Sequence, residues 1–206
     1  GAMIANLGDI TGDGIADFLV GQPGYDIGGG PTNVGAVRLV NGASRTVVSL
    51  IRGVSQEDAF GTAAAATGDL DGDNRSEVLI SAPGNASSLA SFVYLVRSAT
   101  LLSNGSISTA NAGQYGHTPD SQFGASIVSN FEYTDFGTFA VSRFAIGAPR
   151  ADAPGAAAAG SVFYGYVTLS GATFNVQKKF DGATSGEGLG ASVDAAHDYD
   201  GDGIVD

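Results

Sequence analysis

The chain has 206 residues with a formal net charge of −12, 43% apolar residues, and neither Cys nor Trp. That apolar content is enough to bury a core and excludes global disorder, while the lack of Cys excludes disulfides, thiolate metal sites and a Cys nucleophile. Only nine Lys and Arg are present, and they are scattered; this excludes a nucleic-acid surface, and no apolar run approaches the ~18 residues of a membrane span.

Taken in order, Gly1-Ala2-Met3 reads as a scar of tag removal, and no signal peptide is visible. An acidic window follows, Asp9-Ile-Thr11-Gly-Asp13-Gly14-Ile15-Ala-Asp17. A short β-prone run then ends in Gly21-Gln22-Pro23, a third strand is expected at Ala36–Val40, and a weaker fourth at Thr46–Ile51. The order restarts at Phe60-Gly61. A strand from Thr62 to Gly68 leads into Asp69-Leu-Asp71-Gly-Asp73-Asn74-Arg75-Ser-Glu77, and the next run ends in Ser81-Ala82-Pro83. Strands are expected at Phe92–Val96 and at Ser106–Thr109, and the polar stretch holding Tyr115 and His117 reads as a loop.

A third copy opens at Phe123-Gly124, with strands expected at Ala125–Ser129, before Gly147-Ala148-Pro149, at Val162–Tyr166 and at Phe174–Phe180. A fourth starts at Leu189-Gly190, continues with a strand at Ala191–Ala196, and reaches Asp198-Tyr-Asp200-Gly-Asp202-Gly203-Ile204-Val-Asp206. The period is near sixty residues, giving repeats at 4–59, 60–122 and 123–188 and the start of another at 189–206. Four short strands per repeat are the unit of a propeller blade. The expected fold is therefore all-β, with β-propeller blades of four antiparallel strands. About three blades are accounted for, either an incomplete propeller or one completed by self-association, because open blade edges invite pairing.

The acidity is local. The three windows hold eleven of the twenty-one acidic residues, at loop positions 1, 3, 5 and 9. Calcium takes six to eight hard oxygen ligands at ~2.3–2.6 Å, and alternate residues of a tight loop can aim carboxylates at one centre. The expected ligands are Asp9, Thr11, Asp13, Ile15 and Asp17; Asp69, Asp71, Asp73, Arg75 and Glu77; and Asp198, Asp200, Asp202, Ile204 and Asp206. Ile15, Arg75 and Ile204 would contribute only backbone carbonyls. Position 6 needs positive φ, which Gly14, Asn74 and Gly203 tolerate.

Up to three Ca²⁺ ions are expected. The first loop should bind most weakly, because Thr11 replaces a carboxylate. Magnesium demands a tighter octahedron, and zinc prefers His or Cys. An EF-hand is excluded: position 12 is Val20 or Ile80, where a bidentate Glu belongs, and strands follow rather than a helix.

Phe-Gly, an Asp-rich loop and Gly-Ala-Pro together resemble the FG-GAP repeats of the integrin α-subunit β-propeller. The resemblance implies a propeller fold, Ca²⁺ in the loop between the first two strands of certain blades, and an adhesive role outside the cell. In the third repeat, alignment from Gly147-Ala148-Pro149 puts Arg143 where Asp17 and Glu77 sit. No metal is expected there, and Arg143 would brace the loop against Glu132 or Asp135.

Catalysis has little support. His117 and His197 are the only imidazoles, no Gly-x-Ser-x-Gly elbow occurs, and Gly28-Gly29-Gly30 lacks a phosphate-binding Lys. Asn85-Ala-Ser87 and Asn104-Gly-Ser106 fit the glycosylation sequon. The reading is a non-catalytic, calcium-binding module for extracellular adhesion or protein interaction, at a bacterial cell surface. Its partner would be an extracellular protein or glycan, with no nucleic acid and no membrane insertion, and copies could associate through open blade edges. The alternative is a carbohydrate-binding or accessory domain of an extracellular polysaccharide-active enzyme. The resemblance puts partner contacts opposite the metal loops, at 24–34, 52–59, 84–90, 112–122, 150–159 and 181–188, with Tyr25, Tyr115 and His117 as aromatic candidates.

Overall fold

A computed structural model describes residues 2–84, 90–107, 112–118, 121–132, 140–169 and 172–194. Three antiparallel-dominated sheets carry almost all of the regular structure. The first contains β1 (Met3–Gly8), β2 (Asp17–Gln22), β3 (Ala36–Val40) and β4 (Val47–Arg52) in sequence order. The second runs β5 (Ala64–Gly68), β6 (Glu77–Ala82), β7 (Ser91–Val96), then, after the one-turn helix α1 (Ser98–Leu101) and β8 (Gly105–Ser106), β9 (Ala112–His117). The third contains β10 (Ser126–Glu132), β11 (Val141–Ala148), β12 (Ser161–Thr168) and β13 (Thr173–Asp181). β1, β5 and β10 lie side by side, so the first strands of the three sheets gather as inner strands of successive blades.

Alternation builds the core between blades. On β1 and β2, Leu7 and Leu19 point to the second sheet and are fully buried, whereas Ile4 and Phe18 point the other way and stay exposed. β6 is buried along its whole length, as a strand covered on both faces must be. Phe60 and Phe123 are 0% exposed, each filling the space between its own sheet and a neighbour.

The Gly partners of these Phe residues have a separate reason. Gly61 has φ +87°, and a Cβ on it would stand 2.6 Å from the Ala36 carbonyl oxygen. A Cβ on Gly21 would stand 2.0 Å from the Gly61 oxygen. Blade-to-blade backbone contact thus requires glycine on both sides of the seam.

The fourth strand of the second blade differs from expectation. Ser106 does not belong to it: Gly105 and Ser106 pair in parallel with Ile51 and Arg52 of the first sheet. The fourth strand is instead Ala112–His117, antiparallel to β7 with Val96 opposite Ala112 and Ser91 opposite His117. Its two glycines and polar residues give it little strand propensity of its own. Pairing and packing impose the conformation: a Cβ on Gly116 would lie 2.6 Å from the Phe92 ring.

Tyr115 and His117 are therefore not on an open loop. They are half-buried in the seam between the second and third sheets, Tyr115 stacked on Phe174 and His117 edge-on to Phe163. Burial and the charge of Lys179 push the His117 pKa down. The strand expected at Ala191–Ala196 is not formed over Ala191–Asp194, and its remainder lies outside the described residues.

Candidate metal centre

Each Asp-rich loop in the first two sheets starts where its first strand breaks register. The ladder slips between Asn6 and Gly8 and between Ala66 and Gly68, and both glycines have positive φ. The chain then leaves the sheet for eight residues' worth of turn, numbered 9–16 and 69–76, and re-enters at Asp17 or Glu77, directly opposite that glycine. Gly14 (φ +86°) and Asn74 (φ +64°) meet the positive-φ expectation. Gly12 and Gly72 share it, at +82° and +84°.

The position-1 carboxylate organises the turn. Asp9 accepts N–H bonds from Gly12 (2.6 Å), Asp13 (3.0 Å) and Gly14 (2.7 Å). Asp69 repeats this with Gly72 (2.6 Å), Asp73 (3.1 Å) and Asn74 (2.8 Å). The Gly14 N–H, helped by those of Gly12 and Asp13 and by Arg75, holds the Asp9 carboxyl below its usual range. Position 2 anchors the turn, since Ile10 and Leu70 are both buried beneath it. Nothing in the carboxylate spacing signalled that role, although an apolar residue between two acids could have.

Position 9 faces inward. Asp17 and Glu77 are each 0% exposed and accept the backbone N–H of Thr11 and Leu70 respectively, both at 2.7 Å. In the second loop Asp69, Asp71 and Glu77 place one carboxylate oxygen each within 4.8 Å of one another. Among the described residues no other three acidic or imidazole side chains do so, and Asp9, Asp13 and Asp17 of the first loop do not. Asp73 turns aside to accept from Ser98 Oγ (2.7 Å) and from the Arg75 N–H (2.8 Å).

Burial, with smaller contributions of the same sign from Asp71 and Asp73, raises the Glu77 pKa to about 7 against the opposing Leu70 and Ser98 N–H bonds. Three clustered carboxylates, one of them buried, form a hard-oxygen donor set that a divalent cation would relieve of its repulsion.

The residues just after the third strand close over each loop. In the first sheet the Asn41 side-chain amide donates to Thr11 Oγ1 (2.8 Å) and to the Asp13 carboxylate, and the Gly42 N–H donates to Asp17 (3.0 Å). In the second, Arg97 pairs with Asp71 (3.3 Å), Ser98 Oγ donates to Asp73, and the Ser98 N–H donates to Glu77 (3.3 Å). These contacts cross some 25 residues of chain, and spacing within the loop gives no hint of them. Arg75, expected only as a carbonyl donor, also sends its guanidinium to the first loop: Nη2 would stand 3.8 Å from a Cβ on Gly12.

In the third sheet the corresponding break is absent. Asn130 takes the register place of Gly8 and Gly68 and faces Arg143, and pairing continues through Phe131↔Ser142 to Glu132↔Val141. Arg143 donates to the Tyr164 hydroxyl (2.8 Å) and lies over that ring. Asp135, the loop Asp198–Asp206 with its five expected ligands, His197 and Asn85 lie outside the described residues.

The FG-GAP repeat family model matches residues 4–40 and 60–96, each segment ending with the third strand of its sheet. No curated protein matches the chain. Residues 4–40 and 60–96, which carry the first three strands and the Asp-rich turn of the first and second sheets, are thus similar to FG-GAP repeats.

Proposed function

We propose that the chain is a calcium-binding, integrin-like β-propeller module that acts outside the cell in adhesion or protein interaction, without catalysis. The observation that carries the reading is the convergence of Asp69, Asp71 and buried Glu77 within a turn whose backbone is already set. Those side chains, with the Arg75 carbonyl, would hold the ion in the second loop. Asp9, Thr11, Asp13, Asp17 and the Ile15 carbonyl would form a weaker site, and Asp198, Asp200, Asp202, Ile204 and Asp206 a third.

Bound calcium would supply charge neutralisation and loop geometry, and the partner would be an extracellular protein. Copies would associate through open blade edges, beside the face of the first sheet where Ile4 is 73% and Phe18 39% exposed. A monodisperse monomer in light scattering would refute that association.

The test of the calcium reading is thermal denaturation in chelator and in millimolar calcium chloride. Ligand at about 100 times its dissociation constant adds ~2.7 kcal/mol per site. An unchanged melting temperature together with no heat on titration overturns the proposal.

A second reading, a glycan-binding accessory domain, draws on the third sheet. Tyr164 and Tyr166 share one half-exposed face, Arg143 is bonded to Tyr164, and Lys178 lies over exposed Phe180. Aromatic faces beside cations suit sugar acids. A glycan array separates the two readings: specific binding lost in Tyr166→Ala supports this one.

A further inference from the structure

The hairpin between third and fourth strands spans 41–46 in the first sheet and 169–172 in the third, but 97–111 in the second. The described part of this longer connection does not project into solvent. α1 begins at Ser98, which is fully buried, and Leu101 at its end is fully buried in the first core cluster, where its carbonyl accepts the Ser49 hydroxyl of β4. Asn104 Oδ1 accepts the Leu50 N–H (2.8 Å), Gly105 and Ser106 pair with Ile51 and Arg52, and the Ile107 N–H donates to the Arg52 carbonyl (2.8 Å). Residues 97–107 are thus a strap that leaves the second sheet and closes the outer edge of the first. At its origin it is held by the Asp-rich loop, through Arg97 to Asp71, Ser98 Oγ to Asp73 and the Ser98 N–H to Glu77.

We infer that the second Asp-rich loop is the latch of this strap, so that calcium bound there fastens the second blade to the first; the inference rests on the calcium reading above. The physical link is short. Asp71 and Glu77 are both proposed cation ligands and acceptors of the strap's first two residues, and Asp73 beside them in the same turn accepts from Ser98 Oγ. Without a cation, repulsion among the carboxylates works against keeping them where Arg97 and Ser98 need them. With calcium, the same oxygens are fixed and the Ser98 donors keep their partners. Asn41 and Gly42 close the first loop in the same way, but that chain turns straight back into β4, so the first loop lacks this reach.

Hydrogen exchange read by mass spectrometry tests this on the whole chain. The expected result is that calcium chloride slows exchange about tenfold over segments 47–52 and 101–107, in addition to the loop itself. Coupling is reciprocal. Asn104→Ala, which cuts the strap far from the loop, should therefore weaken calcium binding at one site several-fold while leaving the other sites unchanged. Ser98→Ala should reduce the calcium-dependent protection of 101–107, whereas Asp9→Asn should not. If calcium binds with normal heats yet 47–52 and 101–107 exchange at the same rate with and without it, the latch is overturned and the calcium reading stands. Absence of any binding heat overturns both.

Discussion

Replacing Glu77 by Gln isolates the centre of the site. The carboxylate is fully buried, lies within 4.8 Å of Asp69 and Asp71, and accepts N–H bonds from Leu70 at 2.7 Å and Ser98 at 3.3 Å. The amide keeps the volume and one acceptor but removes a charge from the donor set and leaves one of the two N–H groups poorly matched. In metal-free protein these changes oppose each other. A weakened buried bond costs on the order of 1 kcal/mol, and relief of a buried charge offsets it, so the chelated melting point should move little. With calcium the effect is one-sided. An affinity loss on the order of 100-fold is expected from removing a charged ligand. At calcium equal to 100 times the wild-type dissociation constant, stabilisation from this site falls from ~2.7 to about 0.4 kcal/mol. For a chain of this length ~1 kcal/mol is about 2–4 °C, so a shift of roughly 5–11 °C from this site shrinks to about 1 °C. Scanning calorimetry measures the shift, and titration calorimetry should show one site fewer. A full calcium shift and unchanged stoichiometry in Glu77→Gln would refute the assignment.

Acidity should act through the same residue. The folded-state value of Glu77 is raised to about 7 against an ordinary 4.5, so in metal-free buffer its contribution to stability is complete below about 4.5 and is lost as pH rises through 7. Calcium competes with that proton, so its affinity should rise over the same interval; melting and binding profiles from pH 5 to 8 check both, and Glu77→Gln should flatten them. Gly61→Ala should lower stability by more than ~2 kcal/mol in urea unfolding, from positive φ and overpacking combined, whereas Gly28→Ala, with open space around it, should be near neutral. Arg143→Ala should cost about 0.5–1.5 kcal/mol for its bond to Tyr164, with calcium stoichiometry unchanged.

Much of the fold could be read from residue order alone. Phe60-Gly61, the Asp-rich turns and the Gly/Ala-Pro endings are local signals, because backbone sterics and carboxylate-to-N–H bonds act over a few residues. They located the blades, the positive φ of Gly14 and Asn74, and the register place of Arg143. What was not legible depends on pairs distant in sequence. Ala112–His117 is a strand because β7 and Phe92 make it one, and Gly105–Ser106 pairs outside its own repeat.

The Asp-rich loops divide along the same line. Sequence by itself determined that carboxylates recur at positions 1, 5 and 9 of all three windows and at position 3 of two, with Thr11 in the other. Only tertiary structure decided that Asp69, Asp71 and Glu77 converge while the first loop's three acids do not, and that Arg97 and Ser98 close the second loop. The physical reason is range: a turn is set by bonds among near neighbours, whereas the distance between its carboxylates is set by whatever packs over it.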